Sequence, residues 1–230
     1  FYVEISDASG CISKSSIGLV NLFDTITPIR PIISDISVNS LGKSVMSWLT
    51  SLGSDYYIIY IEDANGAWIT LDTVGLGINS YEFINSSAYE GVENFSIRAV
   101  DSCGNSRERS FEHNSIFLVN TSDVCKNSIS LDWNDYLNWQ NGVSHYKVFL
   151  LEIDQNNLST NTVVRVPLNT ELLINNINFL STYIFYVEAY NEDSTFIAMS
   201  NVLNLNIDIP NKPLFNYLEY ATVNHDNGLV

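Results

Sequence analysis

Apolar and polar residues alternate in three similar segments of the chain, Phe1–Ile5, Phe95–Ala99 and Phe185–Ala189. Positions one, three and five of each segment are apolar, which places them on one face of a β-strand because strand side chains alternate. The segments recur about every 90 residues, which indicates that the chain contains a repeated unit. The pattern predicts a repeated strand that buries one face.

A second element follows each of these segments. Ser16–Asn21 aligns with Ser115–Asn120, and Ser200–Asn204 is a looser third copy. Because the two elements recur together, the repeated unit is longer than a single strand.

A tryptophan followed by a tyrosine-rich strand recurs as well. Trp48 precedes Tyr57, and Trp133 precedes Tyr146. All the recurring elements are rich in β-branched and aromatic residues, which favour strands. The sequence therefore predicts a repeated, all-β unit of about 90 residues.

The intervening segments are consistent with strands and turns. Asp63–Gly66 lies between the β-rich runs Tyr57–Ile61 and Trp68–Val74, and Asn-Gly between such runs predicts a hairpin. Tyr81–Phe83 and Thr162–Val166 are predicted as short strands. No segment keeps a 3.6-residue apolar period, so we expect no helix longer than one turn.

Prolines mark the predicted boundaries between units. Pro28 and Pro31 open one unit, and Pro210 and Pro213 open another. Proline is tolerated at the start of an edge strand and disfavoured inside a sheet, so these positions suit unit borders.

We expect a fragment of a longer protein with two complete β-sandwiches in tandem, at 28–120 and 121–209. The pieces 1–27 and 210–230 are predicted to be the last strands of a preceding repeat and the start of a following one. The predicted buried residues are Trp48, Tyr57, Ile59, Phe95, Ile97 and Ala99 in one domain, and Leu131, Trp133, Tyr146, Val148, Phe185, Val187 and Ala189 in the other.

Composition and charge narrow the classes of function. Hydrophobic residues make up 46% of the chain, which is enough for a packed core. Ten basic and 26 acidic residues give a net charge of −16, which opposes binding to nucleic-acid phosphates and to anionic membrane surfaces. No apolar run approaches the roughly 18–20 residues that span a bilayer. We expect no nucleic-acid partner and no membrane insertion.

The second complete unit resembles the fibronectin type III domain. Trp133 matches the buried tryptophan of its second strand, and Ile177 and Tyr183, six residues apart, match the pair of the tyrosine corner. In the first complete unit the position six residues before Ala99 is Glu93, so the corner is absent or replaced there. The resemblance implies tandem immunoglobulin-like (fibronectin type III) β-sandwiches.

Two strings carry a narrower resemblance: Arg98–Asn105, which reads RAVDSCGN, and Leu131–Tyr146, which reads LDWNDYLNWQNGVSHY. They are similar to fibronectin-like repeats of Bacteroidota surface proteins with a gliding-motility-associated (type IX secretion, type B) C-terminal sorting domain. The resemblance implies an extracellular or cell-surface protein exported by type IX secretion. The partners it implies are the neighbouring repeats of the same chain, and in addition surface glycans or other surface proteins.

Three short motifs match the Asp-Ser/Thr-apolar O-glycosylation signal of Bacteroidota. They place candidate acceptor hydroxyls at Thr25, Thr73 and Ser194.

The three cysteines are too few for a disulfide scaffold and have no metal spacing. Cys103 and Cys125 are the candidate disulfide, because an exported protein oxidises a pair whose geometry fits. The fibronectin topology argues against it, since it separates the turn that carries Cys103 from the end of the domain near Cys125.

Asp7, Asp101 and Asn191–Asp193 occupy equivalent loops. These loops are candidates for a weak calcium site between domains, whereas for Asp7 and Asp101 we favour caps of their own turns through Asx hydrogen bonds. No cofactor is expected.

We expect no enzyme. The histidines His113, His145 and His225 stand outside any catalytic motif and are interpreted as exposed or strand-end residues. Small sandwiches rarely offer the deep cleft that a pair of catalytic carboxylates needs.

Aromatic residues are the candidates for ligand binding, because their faces stack on sugar rings. Trp139 lies in a loop rich in Asn and Gly and is the best candidate for exposure, with Trp68 and Tyr136 beside it in the candidate set. The favoured alternative for Trp139 is packing against a neighbouring domain.

The sequence therefore predicts a non-catalytic structural or adhesive spacer module of a secreted cell-surface protein. The alternative is a carbohydrate-binding module that uses exposed aromatics. The two differ in a simple way: the second requires Trp139 and Trp68 to be exposed in one shallow strip.

Overall fold

The computed structural model describes residues 2–18, 24–123 and 125–208. Within these residues it contains seventeen β-strands and no helix, which confirms the all-β class. The predicted following repeat at 210–230 lies outside the described residues, as do Phe1, Leu19, Val20 and Asn21 of the recurring segments.

The strands are short and follow one another through turns. In chain order they are β1 Glu4–Ser6, β2 Ile12–Lys14, β3 Ile32–Val38, β4 Ser44–Leu49, β5 Tyr56–Glu62, β6 Trp68–Gly75, β7 Ser80–Glu82, β8 Asn94–Val100, β9 His113–Asn114, β10 Leu118–Asp123, β11 Ser128–Trp133, β12 Val143–Ile153, β13 Ser159–Val166, β14 Glu171–Asn175, β15 Ser181–Asn191, β16 Ile197–Met199 and β17 Leu203–Ile207.

The same sheet plan occurs twice. In the first region (β3 to β9) one sheet has the order β3-β4-β7 and the other β6-β5-β8-β9. In the second region (β10 to β17) the orders are β10-β11-β14 and β13-β12-β15, with β16 and β17 both paired to β15. The paired strands for which a register is given are antiparallel, and β1 and β2 form a separate hairpin. Two of the recurring segments, Phe95–Ala99 and Phe185–Ala189, therefore lie in corresponding sheets, whereas Val3 and Ile5 of the first copy are exposed in the β1–β2 hairpin and bury no face.

The chain divides into two compact units. One comprises Phe1–Ile32, Leu49–Asn79 and Ser96–Phe111, and the other comprises Ile33–Trp48, Ser80–Phe95 and Glu112–Val230. The boundaries at 28 and 210, drawn from the prolines, and the boundary at 121 stay predictions.

The predicted buried residues are confirmed in both regions. Each of the thirteen is at most 6% exposed, including Trp48 and Trp133. On β15 the pattern is strict, since every second residue from Ser181 to Ala189 is buried. A period of two with one buried face is what a half-covered antiparallel sheet requires.

One type of turn closes five hairpins or strand pairs. It begins at Asp7, Asn39, Asp63, Asp101 or Asp154, whose side-chain Oδ1 accepts the backbone N–H groups two and four residues later. The backbone N–H of the first residue also donates to the carbonyl of the fifth. The fourth residue has a positive φ, so it is glycine in four of the turns and asparagine in the fifth. The predicted Asn-Gly hairpin between β5 and β6 is one of them.

The tyrosine corner is present in the second region, as predicted. The hydroxyl of Tyr183 accepts the backbone N–H of Asn178 at 2.7 Å, and Ile177 and Tyr183 are buried. This bond fixes the chain as it enters β15.

In the first region a carboxylate occupies the corner. Glu93 Oε2 accepts the hydroxyls of Ser44 and Ser86, each at 2.7 Å, and its Oε1 accepts the backbone N–H of Ser87 at 2.7 Å. The corner is therefore replaced rather than absent. Both serines are 1% exposed, so their hydroxyls depend on Glu93 for a partner that water does not supply.

Candidate functional site

The loop between β11 and β12, residues 134–142, packs onto strand β3 and is called the aromatic loop below. Trp139 is 6% exposed and donates its Nε1–H to the carbonyl of Ser34 at 2.6 Å. Tyr136 is 4% exposed, and its ring centroid lies 4.3 Å from that of Trp139. The backbone N–H of Ile36 donates to the Tyr136 hydroxyl at 2.9 Å. Two aromatic side chains thus satisfy two backbone groups of β3.

A buried histidine completes the cluster. His113 Nδ1 lies 3.1 Å from the Tyr136 hydroxyl, and the two rings meet edge to face. Burial lowers the pKa of His113 to about 4, so the ring is neutral at pH 7. Burial, followed by the nearby charge of Asp35, raises the pKa of Tyr136, which keeps its hydroxyl protonated. His113 and Tyr136 therefore both stay neutral near pH 7.

Asparagine side chains tie the aromatic loop to the segment around β9. Asn114 Oδ1 accepts the N–H of Leu137 at 2.8 Å, and Asn114 Nδ2 donates to the carbonyl of Asp135 at 2.8 Å. Asn138 Nδ2 donates to the carbonyl of Glu112 at 2.7 Å. These bonds fix the loop backbone, since an amide side chain that makes two bonds has few alternative positions.

Two further contacts lie within the same compact unit. The backbone N–H of Met199 donates to Ser37 Oγ at 3.1 Å. Asn201 is buried and brackets Leu118, accepting its N–H at 2.6 Å and donating to its carbonyl at 3.0 Å. The segments Ile33–Trp48 and Glu112–Val230 belong to one compact unit. What the cluster does chemically is to hold segments of that unit in register.

The exposure expected of Trp139 and Tyr136 as ligand-binding residues is wrong, because β3 covers both rings. The Asn and Gly residues that suggested a free loop serve its backbone instead: Asn138 and Gly142 have φ values of 67° and 72°. Trp139 is packed, but against β3 of the same compact unit, and packing against a neighbouring domain stays a prediction.

Trp68, the third member of the candidate set, is half-buried on β6. The Arg109 guanidinium lies over its ring, 4.5 Å from the centroid. That face of Trp68 is consequently covered by a cation. The exposed strip of Trp139 and Trp68 that the carbohydrate-binding alternative requires is not formed.

The three cysteines are free and exposed. The candidate disulfide between Cys103 and Cys125 is therefore not formed in the structure. Cys103 lies in the turn that Asp101 closes, and its N–H is bonded to that carboxylate. The position of Cys103 is set by the turn, without help from a bridge.

The candidate O-glycosylation residues Thr25, Thr73 and Ser194 are all exposed. Their hydroxyls can be reached by a modifying enzyme, and their modification stays a prediction.

The loop carboxylates act as caps. Hydrogen bonds within each turn lower the pKa of all three, from the Ser9 side chain for Asp7, the Asn105 side chain for Asp101 and the Thr195 side chain for Asp193. These bonds confirm the favoured interpretation. In the described ranges, no three His, Cys, Asp or Glu side chains come together as a metal site.

The sequence did not draw attention to a cluster of arginines. Arg30, Arg98 and Arg109 line one open depression, and Arg107 stands nearby in the chain with its Nε–H bonded to Thr27 Oγ1. Of the five arginines in this acidic chain, three therefore line the depression, and a fourth lies two residues before Arg109. The signal that could have revealed them is Arg-Glu-Arg at 107–109, close to Arg98 on the polar face of its strand.

Comparisons with known proteins give a limited result. No protein-family model matches the chain, and no curated protein matches it. In the described residues there is no helix of the length and apolarity needed to cross a membrane. Among solved structures, the FN1–FN3 domains of chicken CNTN1 match with 15% identity and a TM-score of 0.30, over 79% of this chain and 66% of that one. The chain thus covers slightly less than two thirds of that structure. Its all-β class is established by the strands of the structure described above.

Proposed function

We propose that this chain is a non-catalytic structural or adhesive spacer module of a secreted cell-surface protein. The observation that carries the proposal is the buried aromatic loop on β3. A spacer needs successive domains that do not swing freely, and short polar linkers alone leave them mobile. Trp139 and Tyr136 provide fixed bonds from the second region to β3 of the first.

We also propose that each region is a fibronectin type III-like sandwich. The support is the repeated plan of a three-stranded and a wider sheet, a buried tryptophan on β4 and on β11, and the tyrosine corner at Tyr183. The two regions are then consecutive repeats, and the aromatic loop of the second packs on β3 within one compact unit.

Export by type IX secretion is the part of the proposal that the sequence strings support. Exposed hydroxyls at Thr25, Thr73 and Ser194 are compatible with glycosylation on that route. The test is expression of the chain in its full-length protein in a Bacteroidota host. Surface protease treatment of intact cells should remove the protein, and deletion of the secretion channel should leave it protected inside.

A distance measurement tests the spacer mechanism directly. Cys11 and Cys103 are changed to Ser, Leu41 is changed to Cys, and spin labels are attached at position 41 and at Cys125, both of which are exposed. Pulsed electron resonance should give one narrow distance distribution. Trp139→Ala should broaden it, because the indole bond to Ser34 and the packing of Tyr136 are lost.

Leu137→Ala is the matched control, since Leu137 lies in the same loop with a side chain that is 40% exposed. It should leave the distribution narrow. Tyr136→Phe removes only the hydroxyl that accepts the Ile36 N–H, and serves as a milder variant if Trp139→Ala unfolds. A broad distance distribution in the unmutated chain would refute the spacer mechanism. A distribution that stays as narrow in Trp139→Ala as in Leu137→Ala would refute it as well.

A further inference from the structure

Arginine side chains line an open depression of about 310 Å³ on the unit that contains β5 and β6. The lining consists of Arg30, Arg98, Glu108, Arg109 and Ser110. In a chain with a net charge of −16, three cations around one cavity concentrate positive charge where the rest of the surface is acidic. The depression is large enough for an ionic group together with part of the molecule that bears it.

Aromatic rings hold these guanidinium groups in place. Arg109 lies 4.5 Å from the Trp68 ring centroid and 5.2 Å from that of Tyr60. Arg98 lies 5.6 Å from the same Tyr60 ring. Arg30 lies 4.0 Å from the Phe111 ring and donates its Nε–H to the carbonyl of Arg109 at 2.6 Å. Stacked guanidinium groups keep their planes fixed, so less side-chain entropy is lost when a ligand binds.

The arginines retain N–H donors that the protein does not use. Arg98 Nε and Arg109 Nη1 are shielded from solvent and have no hydrogen-bond partner in the described part of the chain. The ion pairs among the described residues are Lys14–Glu4 and Lys126–Asp123, which leaves the arginines of the depression without a carboxylate at ion-pair distance. Because these two atoms are shielded from solvent, a ligand in the depression would bond the other N–H groups of the guanidinium forks that line it.

We propose that Arg30, Arg98 and Arg109 form a binding site for a single oxyanion group, a carboxylate or a sulfate, whether free or carried on a sugar. Guanidinium forks match the oxygens of these groups with paired N–H···O bonds. The acidity of the remaining surface favours one isolated anion over a densely charged polymer, which that surface repels. Glu108 at the rim opposes the anion and limits its affinity. The site is independent of the spacer proposal, since it involves neither the aromatic loop nor β3.

Nuclear magnetic resonance of the arginine Nε–H groups tests the site in the full chain. Sodium sulfate is titrated at constant ionic strength with sodium chloride as the balancing salt. The signals of Arg98 and Arg109 should shift and saturate, while those of Arg107 and Arg165 should stay unchanged. Parallel titrations with glucuronate and with glucose distinguish a sugar-borne carboxylate from a free inorganic anion.

Variants then assign the effect to the depression. Arg98→Gln should weaken sulfate binding about tenfold, as expected for the loss of one charge-assisted hydrogen bond. Arg107→Gln is the matched control, because this exposed arginine does not line the depression, and binding should be unchanged. Glu108→Gln should tighten binding about threefold by removing the opposing charge.

Saturation by sulfate, and by glucuronate but not glucose, would support the site and include sugar-borne carboxylates among its ligands. A response to sulfate alone would support it for the free anion. The proposal is overturned if chloride at equal ionic strength produces the same shifts, if no shift saturates, or if Arg107→Gln weakens binding as much as Arg98→Gln.

Discussion

The two corners of the molecule solve one structural problem with different chemistry. Six residues before the last buried alanine of the repeated strand, the first region has Glu93 and the second has Tyr183. Tyr183 accepts one backbone N–H through its hydroxyl. Glu93 accepts two serine hydroxyls and one backbone N–H through its carboxylate. Each arrangement fixes the chain just before it enters a central strand.

The residues around the corners have changed together. Counted from the core tryptophans Trp48 and Trp133, the position of Ser44 in the first region is that of Ile129 in the second. The pairing of β4 with β7 and of β11 with β14 likewise aligns Ser86 with Ile177. All four side chains are at most 3% exposed. The carboxylate is bonded to two buried hydroxyls, and the positions equivalent to the two serines hold buried isoleucines in the second region. The corner is therefore a set of three residues, and its members are not exchangeable singly.

The largest effect is expected from Glu93→Ala. It removes three acceptor bonds and leaves the buried hydroxyls of Ser44 and Ser86 without their carboxylate partner. Hydrogen bonds to charged groups contribute about 1.5 kcal/mol each, so the loss of three should cost about 4.5 kcal/mol. Hydrogen exchange read by mass spectrometry should show faster opening of β8, with β15 much less affected.

Glu93→Gln separates charge from geometry. An amide keeps one acceptor oxygen of similar shape, so its cost should be well below that of alanine. If β8 is equally protected from hydrogen exchange in the wild type and in Glu93→Ala, the carboxylate does not stabilise the corner of the first region.

The second-largest effect is expected on the stability of the fold at low pH, and it also distinguishes the two regions. His113 pairs with Phe95 on β8, while the equivalent Phe185 on β15 pairs with Leu203. Burial lowers the pKa of His113 to about 4 in the folded chain, from about 6.5 in the unfolded chain. The unfolded state therefore binds the proton first, and stability is lost as pH falls from about 6.5 to 4. The loss should reach about 3 kcal/mol.

Urea unfolding at pH 7 and at pH 4 measures this loss. His113→Leu, which installs the residue of the second region, should lower stability at pH 7 through the lost contact with the Tyr136 hydroxyl. It should nevertheless show a smaller drop between the two pH values than the unmutated chain. An unchanged drop would assign the acid sensitivity to other groups.

The smallest effect is expected from Tyr183→Phe. The ring stays in place, and only the bond from the Asn178 N–H is lost, so the cost should be about 1 kcal/mol. Amide exchange at Asn178 should accelerate, with little change in β8. Tyr186→Phe is the control, because Tyr186 lies on the opposite face of the same strand, stacked on Phe149. A loss in Tyr186→Phe as large as in Tyr183→Phe would show that the corner hydroxyl has no special role.

The fold could be predicted where the information is local. The buried stripes, the hairpin at Asp63–Gly66 and the corner at Tyr183 each follow from residue spacing within one or two strands. Even the departure at Glu93 was visible as a broken pattern. What spacing could not supply was the partner of the carboxylate, since Ser44 lies 49 residues away along the chain.

The candidate site was predicted less well for the same physical reason. A loop has no periodicity, so nothing in residues 134–142 shows that β3 covers Trp139. The buried state of His113 likewise depends on Tyr136, which reaches it from another strand connection. The arginine cluster unites residues from three separate segments of the chain. Each of these features is a tertiary contact between segments whose local sequences carry no common signal.

The recurring Asx turn has a consequence for the rate at which the chain folds. Sheets built from distant strands fold slowly, because long loops must close before their contacts form. A turn whose first residue bonds its own third and fifth residues closes within a few residues, on the microsecond scale of a hairpin. The first region has three such turns, at Asn39, Asp63 and Asp101, and the second has one, at Asp154. We therefore expect the strand pairs of the first region to form earlier than those of the second.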